Sequence, residues 1–295
     1  MVGPPPAGLT SGSIHPYAHP EYARGLAHIG AATGVPEWGT PMLVRPVPAG
    51  GEDAMGIYPL TAIARGADLP AGLDRLRSLG LISATLVPDP LSGPSAGDLS
   101  AAFDVARPFK THLTLDRSAG PYAPSPHHRE RIRRGHRRCR IEQGSLHTWL
   151  ADWVRLYAGL VDHRGITGPA DFPPAYFEAL TLAPAMTAFA AWVDDRIVGL
   201  TLWFAHDGVV YNHLTAVDAA GYANGASYAL YDSAIAAFEG QGVVNLGGGA
   251  GAGDQSGTGG LYAFKRGFAN STATALICGA ILDQDRYRQL GGEGP

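Results

Sequence analysis

With 295 residues, 45% of them apolar and 16% charged, and a mean hydropathy near zero, the chain has the composition of a globular protein long enough for two cores. No stretch approaches the ~18 uninterrupted apolar residues of a membrane-spanning helix. The two cysteines, Cys139 and Cys278, offer neither a disulfide framework nor metal-ligand spacing. The net charge of −4 hides an asymmetry: between Ser125 and Glu142 stand Arg129, Arg131, Arg133, Arg134, Arg137, Arg138 and Arg140 against Glu130 and Glu142, a local +5, while the rest of the chain sums to −9.

Taken in chain order, residues 1–13 carry no positive n-region and no apolar h-region, so a flexible leader and a cytoplasmic location are expected. Apolar residues at helical spacing (Tyr22, Leu26, Ile29, Ala32) predict a helix over 19–34, ended by Gly34. Short β-like runs at 41–47, 55–64, 81–87 and 112–115, divided by proline and glycine turns, predict a mixed α/β domain. Ser125-Pro126, a capping hydroxyl followed by a proline suited to a first helical turn, opens the arginine-rich segment as a linking helix.

Beyond it, amphipathic helices are expected at 146–163 and 174–182. Strands at 187–193 and 197–205, joined by Asp194-Asp195, read as a hairpin, with a third strand at 209–217. A turn, a helix over 226–239, a strand at 243–246, a glycine-dense loop at 247–260, a short helix at 261–266 and a strand at 273–281 complete the order. That succession matches the layout of Gcn5-related acetyltransferases.

Several segments can carry chemistry, each against a plainer alternative. In LYAFKRGF (261–268), Lys265 stands on a short apolar helix beside Tyr262, Phe264 and Phe268, where an amine is costly unless it meets an anion or snorkels to water. The turn Asn224, Gly225, Ala226, Ser227 opens a helix, and helix-start amides bind anions, or simply cap. His213, central on the third strand, is the candidate general base because imidazole titrates near neutrality; a hydrogen-bonded core histidine is the alternative. The glycine loop lacks a phosphate-loop motif and reads as a mobile active-site loop or a linker. Arg133, Arg134, Arg137 and Arg138 suit a nucleic-acid backbone, or form a solvated helix face.

The sequence resembles the Fem-type aminoacyltransferases, which move an amino acid from aminoacyl-tRNA onto an amine, within the Gcn5-related acetyltransferase superfamily. The resemblance rests on HLTLDRS (112–118), HHRERIRRGHRR (127–138), YNHLTA (211–216), NGASYALYDSAI (224–235), LGGG (246–249) and LYAFKRGF. It implies two tandem GNAT-like domains with mixed, mostly antiparallel sheets flanked by helices, spanning 14–145 and 146–287, and a flexible tail at 288–295. It implies Phe264 as an aromatic platform and Lys265 as the cation for the tRNA terminus or the developing oxyanion, with Arg266 and the turn at 224–227 also on the donor side. Tyr211, Tyr262 and Asp254 are the matching acceptor-side candidates. A monomer that needs no cofactor beyond the aminoacyl-tRNA co-substrate is expected, with a small amine or peptide as acceptor, in cell-wall or peptide-antibiotic synthesis. The superfamily's coenzyme A pyrophosphate run is imperfect here, since Gly221 and Asn224 fall at its first and fourth positions. That weakens acyl-CoA as the donor, which stays as the alternative.

Overall fold

The computed structural model describes residues 14–48, 50–183, 186–249 and 259–291. Helix α1 (Pro20–Gly25) is followed by strands β1 (Ala31–Val35), β2 (Thr40–Pro46) and β3 (Glu52–Gly56), helix α2 (Leu69–Ser78), strand β4 (Ser83–Leu86) and helix α3 (Ala96–Ala102). The helix expected over 19–34 is thus cut short, because 31–35 pairs with β2 as an antiparallel strand. Gly30 permits the approach: a Cβ there would stand 2.6 Å from the Val44 carbonyl oxygen. Strand pairing overrides a weak helical periodicity. Helices α2 and α3, absent from the expected order, carry start signals in Asp68 before Leu69-Pro70 and in the Ser95/Asp98 capping box.

Strand β5 (Val105–Asp116) is longer than the predicted run, and α4 (Pro126–Arg138) starts as expected at Ser125, whose hydroxyl accepts the His128 N–H. Then come β6 (Arg140–Gly144), α5 (Leu150–Arg164), α6 (Pro174–Leu180), β7 (Met186–Val193), β8 (Arg196–His206) and β9 (Val209–Val217). After these follow α7 (Ala219–Asn224), α8 (Ala226–Ala237), β10 (Val243–Gly247), α9 (Gly260–Arg266), β11 (Ser271–Ile281) and α10 (Gln284–Gln289). The hairpin at Asp194-Asp195 is present, with Val193 paired to Arg196 and Asp194 in the left-handed region at φ 53°. The segment read as a turn before α8 is helix α7: Asp218 accepts the Gly221 N–H at 2.9 Å to start it, and Gly225 at φ 79° ends it. The expected tail begins inside α10, while the expected leader lies outside the described residues.

By its contacts the chain forms two compact units, Ile14–Lys110 with Ala273–Pro295, and Thr111–Thr272. These limits differ from the boundary expected near 145. The chain passes between units inside β5 and again inside β11, so the 14–110 unit is completed by a segment from the far end of the chain, and the arginine-rich helix packs within the 111–272 unit.

The first unit holds the strand order β1-β2-β3-β4-β11, with β3 and β4 parallel and the other pairs antiparallel. Its core gathers Trp38, Leu73, Leu76, Leu86, Phe103 and Cys278, and Gly72 lies so close under the Trp38 indole that no side chain would fit. In the 111–272 unit the order is β5-β10-β9-β8-β7-β6, with β9 and β10 parallel and the rest antiparallel. Successive side chains on β8 show how the helices are divided. Trp203 packs on Tyr231 of α8, while the next residue, Phe204, packs on His213, which Tyr176 of α6 also touches. Alternation along a strand therefore puts α8 on one face and α6 on the other. No helix among the described residues is long and apolar enough to cross a membrane.

Candidate functional site

The sheet of the 111–272 unit opens between its two parallel strands. β9 and β10 pair only over Val209, Val210 and Tyr211 against Val243, Val244 and Asn245, although β9 runs on to Val217 and β10 to Gly247. Asn212, the first β9 residue past this ladder, anchors a polar network. Its Oδ1 accepts the Tyr231 hydroxyl of α8 at 2.7 Å, and its Nδ2 donates to Thr201 Oγ1 at 3.0 Å and to Thr215 Oγ1 at 3.3 Å. Burial lifts the Tyr231 phenol above its ordinary range and keeps it protonated. At the end of β10, Asn245 Oδ1 accepts the Gly247 N–H at 2.9 Å and meets His112 Nδ1 of β5 at 3.1 Å.

Helix α8, whose Tyr231 reaches Asn212 at this opening, starts directly after Gly225, and its first-turn amides carry the positive end of the helix dipole. The turn at 224–227 and the arginine helix meet here. Arg134 donates to the Ala223 carbonyl at 2.9 Å, and a Cβ on Gly135 would stand 2.6 Å from the Gly225 carbonyl oxygen. Farther along, His136 Nε2 lies 2.9 Å from Asp232 Oδ2 of α8. Helix α4 buries one stripe, His128, Ile132 and Gly135, and turns Arg129, Arg131, Arg133, Arg137 and Arg138 to solvent. Those five have no carboxylate ion-pair partner among the described residues. Of the four arginines singled out from the sequence, Arg134 is employed in tying the helices together and the other three are exposed.

Helix α9 docks on the first turns of α8 through aromatic rings. Phe264 lies 5.0 Å from Tyr228, 4.9 Å from Tyr231 and 5.2 Å from Phe268 between ring centroids, so the expected platform is a half-buried member of a packed cluster. The cluster closes on His128, whose Nε2 donates to the Phe264 carbonyl at 2.7 Å while Nδ1 meets the Ser125 hydroxyl at 3.0 Å. Burial holds this imidazole below its ordinary pKa. Gly267 lies against its face, and an added Cβ would stand 2.0 Å from His128 Cε1. Gly267→Ala is therefore expected to expel His128 and cost about 3 kcal/mol through overpacking and two lost hydrogen bonds. Denaturant unfolding checks this, and an unchanged midpoint would contradict it.

Lys265 leaves the cluster on the other side of α9. Its Nζ donates to the Gly248 carbonyl at 3.0 Å and would stand 3.1 Å from a Cβ on Gly247, which holds φ 75° where β10 ends. The sequence-predicted cation thus sits at the open end of β10. Tyr262 is half-buried and Arg266 exposed on the same helix, Asn224 and Ser227 are half-buried at the turn, and Ala226 is buried. Asp254 and most of the glycine loop, 250–258, lie outside the described residues.

Tyr211 and His213 point into the core. Tyr211 is buried, and His213 shares a 2.8 Å hydrogen bond with the Tyr176 hydroxyl under Phe204. Burial pushes the His213 pKa down to about 3, so the ring is neutral and a weak proton acceptor at physiological pH. His213 thus has the buried, hydrogen-bonded setting of the core histidine that stands as the alternative to a general base. Sequence reasoning passed over Asn212, Tyr231, Asn245 and His112. The available signal was a lone polar residue inside an apolar strand, as in VVNLG (243–247).

Residues 126–266, all within this unit, match the family described as acetyltransferase (GNAT) domain. Solved structures extend the likeness over nearly the whole chain. FemX aligns with a TM-score of 0.64 at 12% identity, covering 93% of this chain and 96% of that one. The C-terminal domain of a putative lysylphosphatidylglycerol synthetase from Agrobacterium fabrum gives 0.62 at 13%, covering 93% and 92%. L-PGS from Bacillus licheniformis gives 0.58 at 11%, covering 90% and 93%. At these identities the likeness is one of fold: a mixed α/β, GNAT-like architecture, consistent with a tandem arrangement. No curated protein matches the sequence.

Proposed function

We propose that the chain is an acyltransferase that moves an aminoacyl group from aminoacyl-tRNA to the amine of a small molecule or peptide, forming an amide. The observation that carries this reading is the meeting of α4 with the start of α8, where Arg134 bonds the turn and Arg133, Arg137 and Arg138 lie exposed on the same helix. A helix start alone serves any phosphorylated donor. A row of exposed guanidinium groups leading from it suits an extended polyanion, because each phosphate neutralised releases a counterion. The fold likeness to FemX, and to the C-terminal domain of a putative lysylphosphatidylglycerol synthetase, supports aminoacyl transfer in particular.

In this reading the aminoacyl ester lies in the opening between β9 and β10, with Lys265 beside its carbonyl oxygen and the amine attacking directly. Lys265 and preorganised amides stabilise the charge that develops on that oxygen. A tRNA donor places the reaction in the cytoplasm. The test is incubation with radiolabelled aminoacyl-tRNA pools and a panel of amines and peptide amines, which reports donor and amino acid together. Label that stays on tRNA across the panel would sink the reading.

An acyl-CoA donor is the second reading, favoured by the match of 126–266 to an acetyltransferase domain. Under it, coenzyme A or acetyl-CoA raises the melting temperature by mass action. Under the tRNA reading, both leave it unchanged.

A further inference from the structure

Among the described residues one Phe, Tyr or Trp ring stands exposed: Tyr222, at 51%, while the others are all buried or half-buried. It is carried by α7, a helix of six residues that is fixed at both ends. Asp218 accepts the Gly221 N–H at its start and pairs with Arg196 at 2.7 Å, and Asn224 Nδ2 donates to the Ala220 carbonyl at 2.9 Å at its end. Between them, a Cβ on Gly221 would stand 2.5 Å from the Val198 carbonyl oxygen, so the helix lies directly on β8. A large ring with two rotatable bonds, mounted on so fixed a backbone, loses little freedom when a ligand covers it.

Two links locate Tyr222. The next residue, Ala223, gives its carbonyl to Arg134 of α4, the helix that turns Arg133, Arg137 and Arg138 to solvent. Cys139, directly after α4, points its Sγ at the Asn224 carbonyl from 3.9 Å, so the arginine helix runs along the joint of α7 and α8. The second link is to Tyr231: burial is the main cause that lifts its phenol above the ordinary range, and the Tyr222 phenol lies close enough to add to the shift. Tyr231 in turn donates to Asn212 at the opening between β9 and β10. Tyr222 is thus tied to the arginine helix through Ala223 and to the opening through Tyr231. Phe264, the platform that the resemblance implies, is flanked by the rings of Tyr228, Tyr231, Phe268 and His128 and holds α9 in place.

We propose that Tyr222 is a stacking platform for the unpaired 3′-terminal base of the donor tRNA; this rests on the aminoacyl-tRNA reading and extends it from the phosphates to a base. The aminoacyl ester hangs from the last ribose of an unpaired end, where the base is free to stack on an aromatic ring. Guanidinium groups on α4 meet the phosphates that precede it, and the ring holds the final nucleotide. Fixing that nucleotide confines the ester it carries, which helps the reaction by orientation and not by touching the reacting carbonyl. Tyr222 is a binding residue in this account, and its ring matters more than its hydroxyl.

The test is a binding cycle on the full chain that removes the ring and the base separately and together. The probes are uncharged tRNA with a complete 3′ end and the same tRNA whose last nucleotide lacks its base. Each is titrated onto wild type, Tyr222→Ala and Tyr222→Phe. Tyr222→Ala should weaken binding of the complete tRNA about tenfold, and Tyr222→Phe should stay within about threefold of wild type, because stacking needs only the ring. Removing the base should cost the wild type a similar factor and cost Tyr222→Ala almost nothing further. The slope of affinity against salt should be the same in all three proteins, since no phosphate contact is lost. Their melting temperatures should agree as well, because the side chain is exposed. An alanine variant that binds as the wild type does, losses that add in the double removal, a phenylalanine variant as weak as alanine, or a flattened salt slope each overturn the platform while leaving tRNA binding itself standing. Coenzyme A is titrated in parallel: if its affinity falls in Tyr222→Ala while that of tRNA does not, the ring belongs to that donor and the proposal fails. A wild type that binds no tRNA defeats both this proposal and the tRNA reading.

Discussion

Replacing Lys265 by alanine should lower acyl transfer at least tenfold, and up to the 10²–10³-fold typical of removing one oxyanion-stabilising donor. Phe264 and Phe268 anchor α9 in the aromatic cluster, and Lys265 leaves that cluster for the Gly247–Gly248 turn, where Nζ donates to the Gly248 carbonyl. The alanine variant forfeits a net hydrogen bond worth about 1 kcal/mol, while the rings that hold α9 on α8 stay in place. Folding should therefore change little and the chemical step much. The loss belongs in kcat, with the donor's KM close to wild type, because the charge is needed where the oxyanion develops and not along the tRNA backbone. Lys265→Arg keeps the charge but must fit a wider head where the Nζ already lies 3.1 Å from a Cβ position on Gly247, so it should recover only part of the rate. Wild-type turnover in Lys265→Ala would remove the residue from the mechanism.

The 111–272 unit was the more legible in the sequence. Its strands β7 to β9 alternate or run apolar between clear breakers, and its helices carry caps such as Ser125 and Gly225 that act on their immediate neighbours. Local signals of that kind survive folding. The first unit was harder to read because its decisive contacts are distant in sequence: Gly30 against Val44 turns an apparent helix into β1, and β11 joins this unit from the far end of the chain. The same distinction runs through the candidate site. Lys265 and the turn at 224–227 announce themselves by composition. Asn245 meets His112 in a 3.1 Å contact across 133 residues, and His213 meets Tyr176, 37 residues away on a helix of the opposite face from α8. Spacing along the chain encodes neither.

Neutralising Arg133, Arg137 and Arg138 together, as glutamines, should weaken aminoacyl-tRNA binding and flatten its salt dependence. If each meets one phosphate, the slope of log K against log salt should fall in magnitude by about 2–3, at roughly 0.9 per phosphate. Arg134 is left intact because its bond to Ala223 ties α4 to the turn, and its loss would confuse binding with structure. The three replaced side chains are exposed and without carboxylate partners among the described residues, so the melting temperature should hold to within the small effect of surface charges. A coenzyme A donor docked at the start of α8 would also lie beside this helix, since Gly135 packs against Gly225 there. Distance therefore does not separate the two donors, but the size of the salt response does. A tRNA meets the helix with many phosphates spread along its backbone, whereas coenzyme A concentrates its few at the helix start and leaves most of the arginine row untouched. A triple variant that binds aminoacyl-tRNA as the wild type does, with the same salt slope, would return the row to solvent and require the tRNA to dock elsewhere.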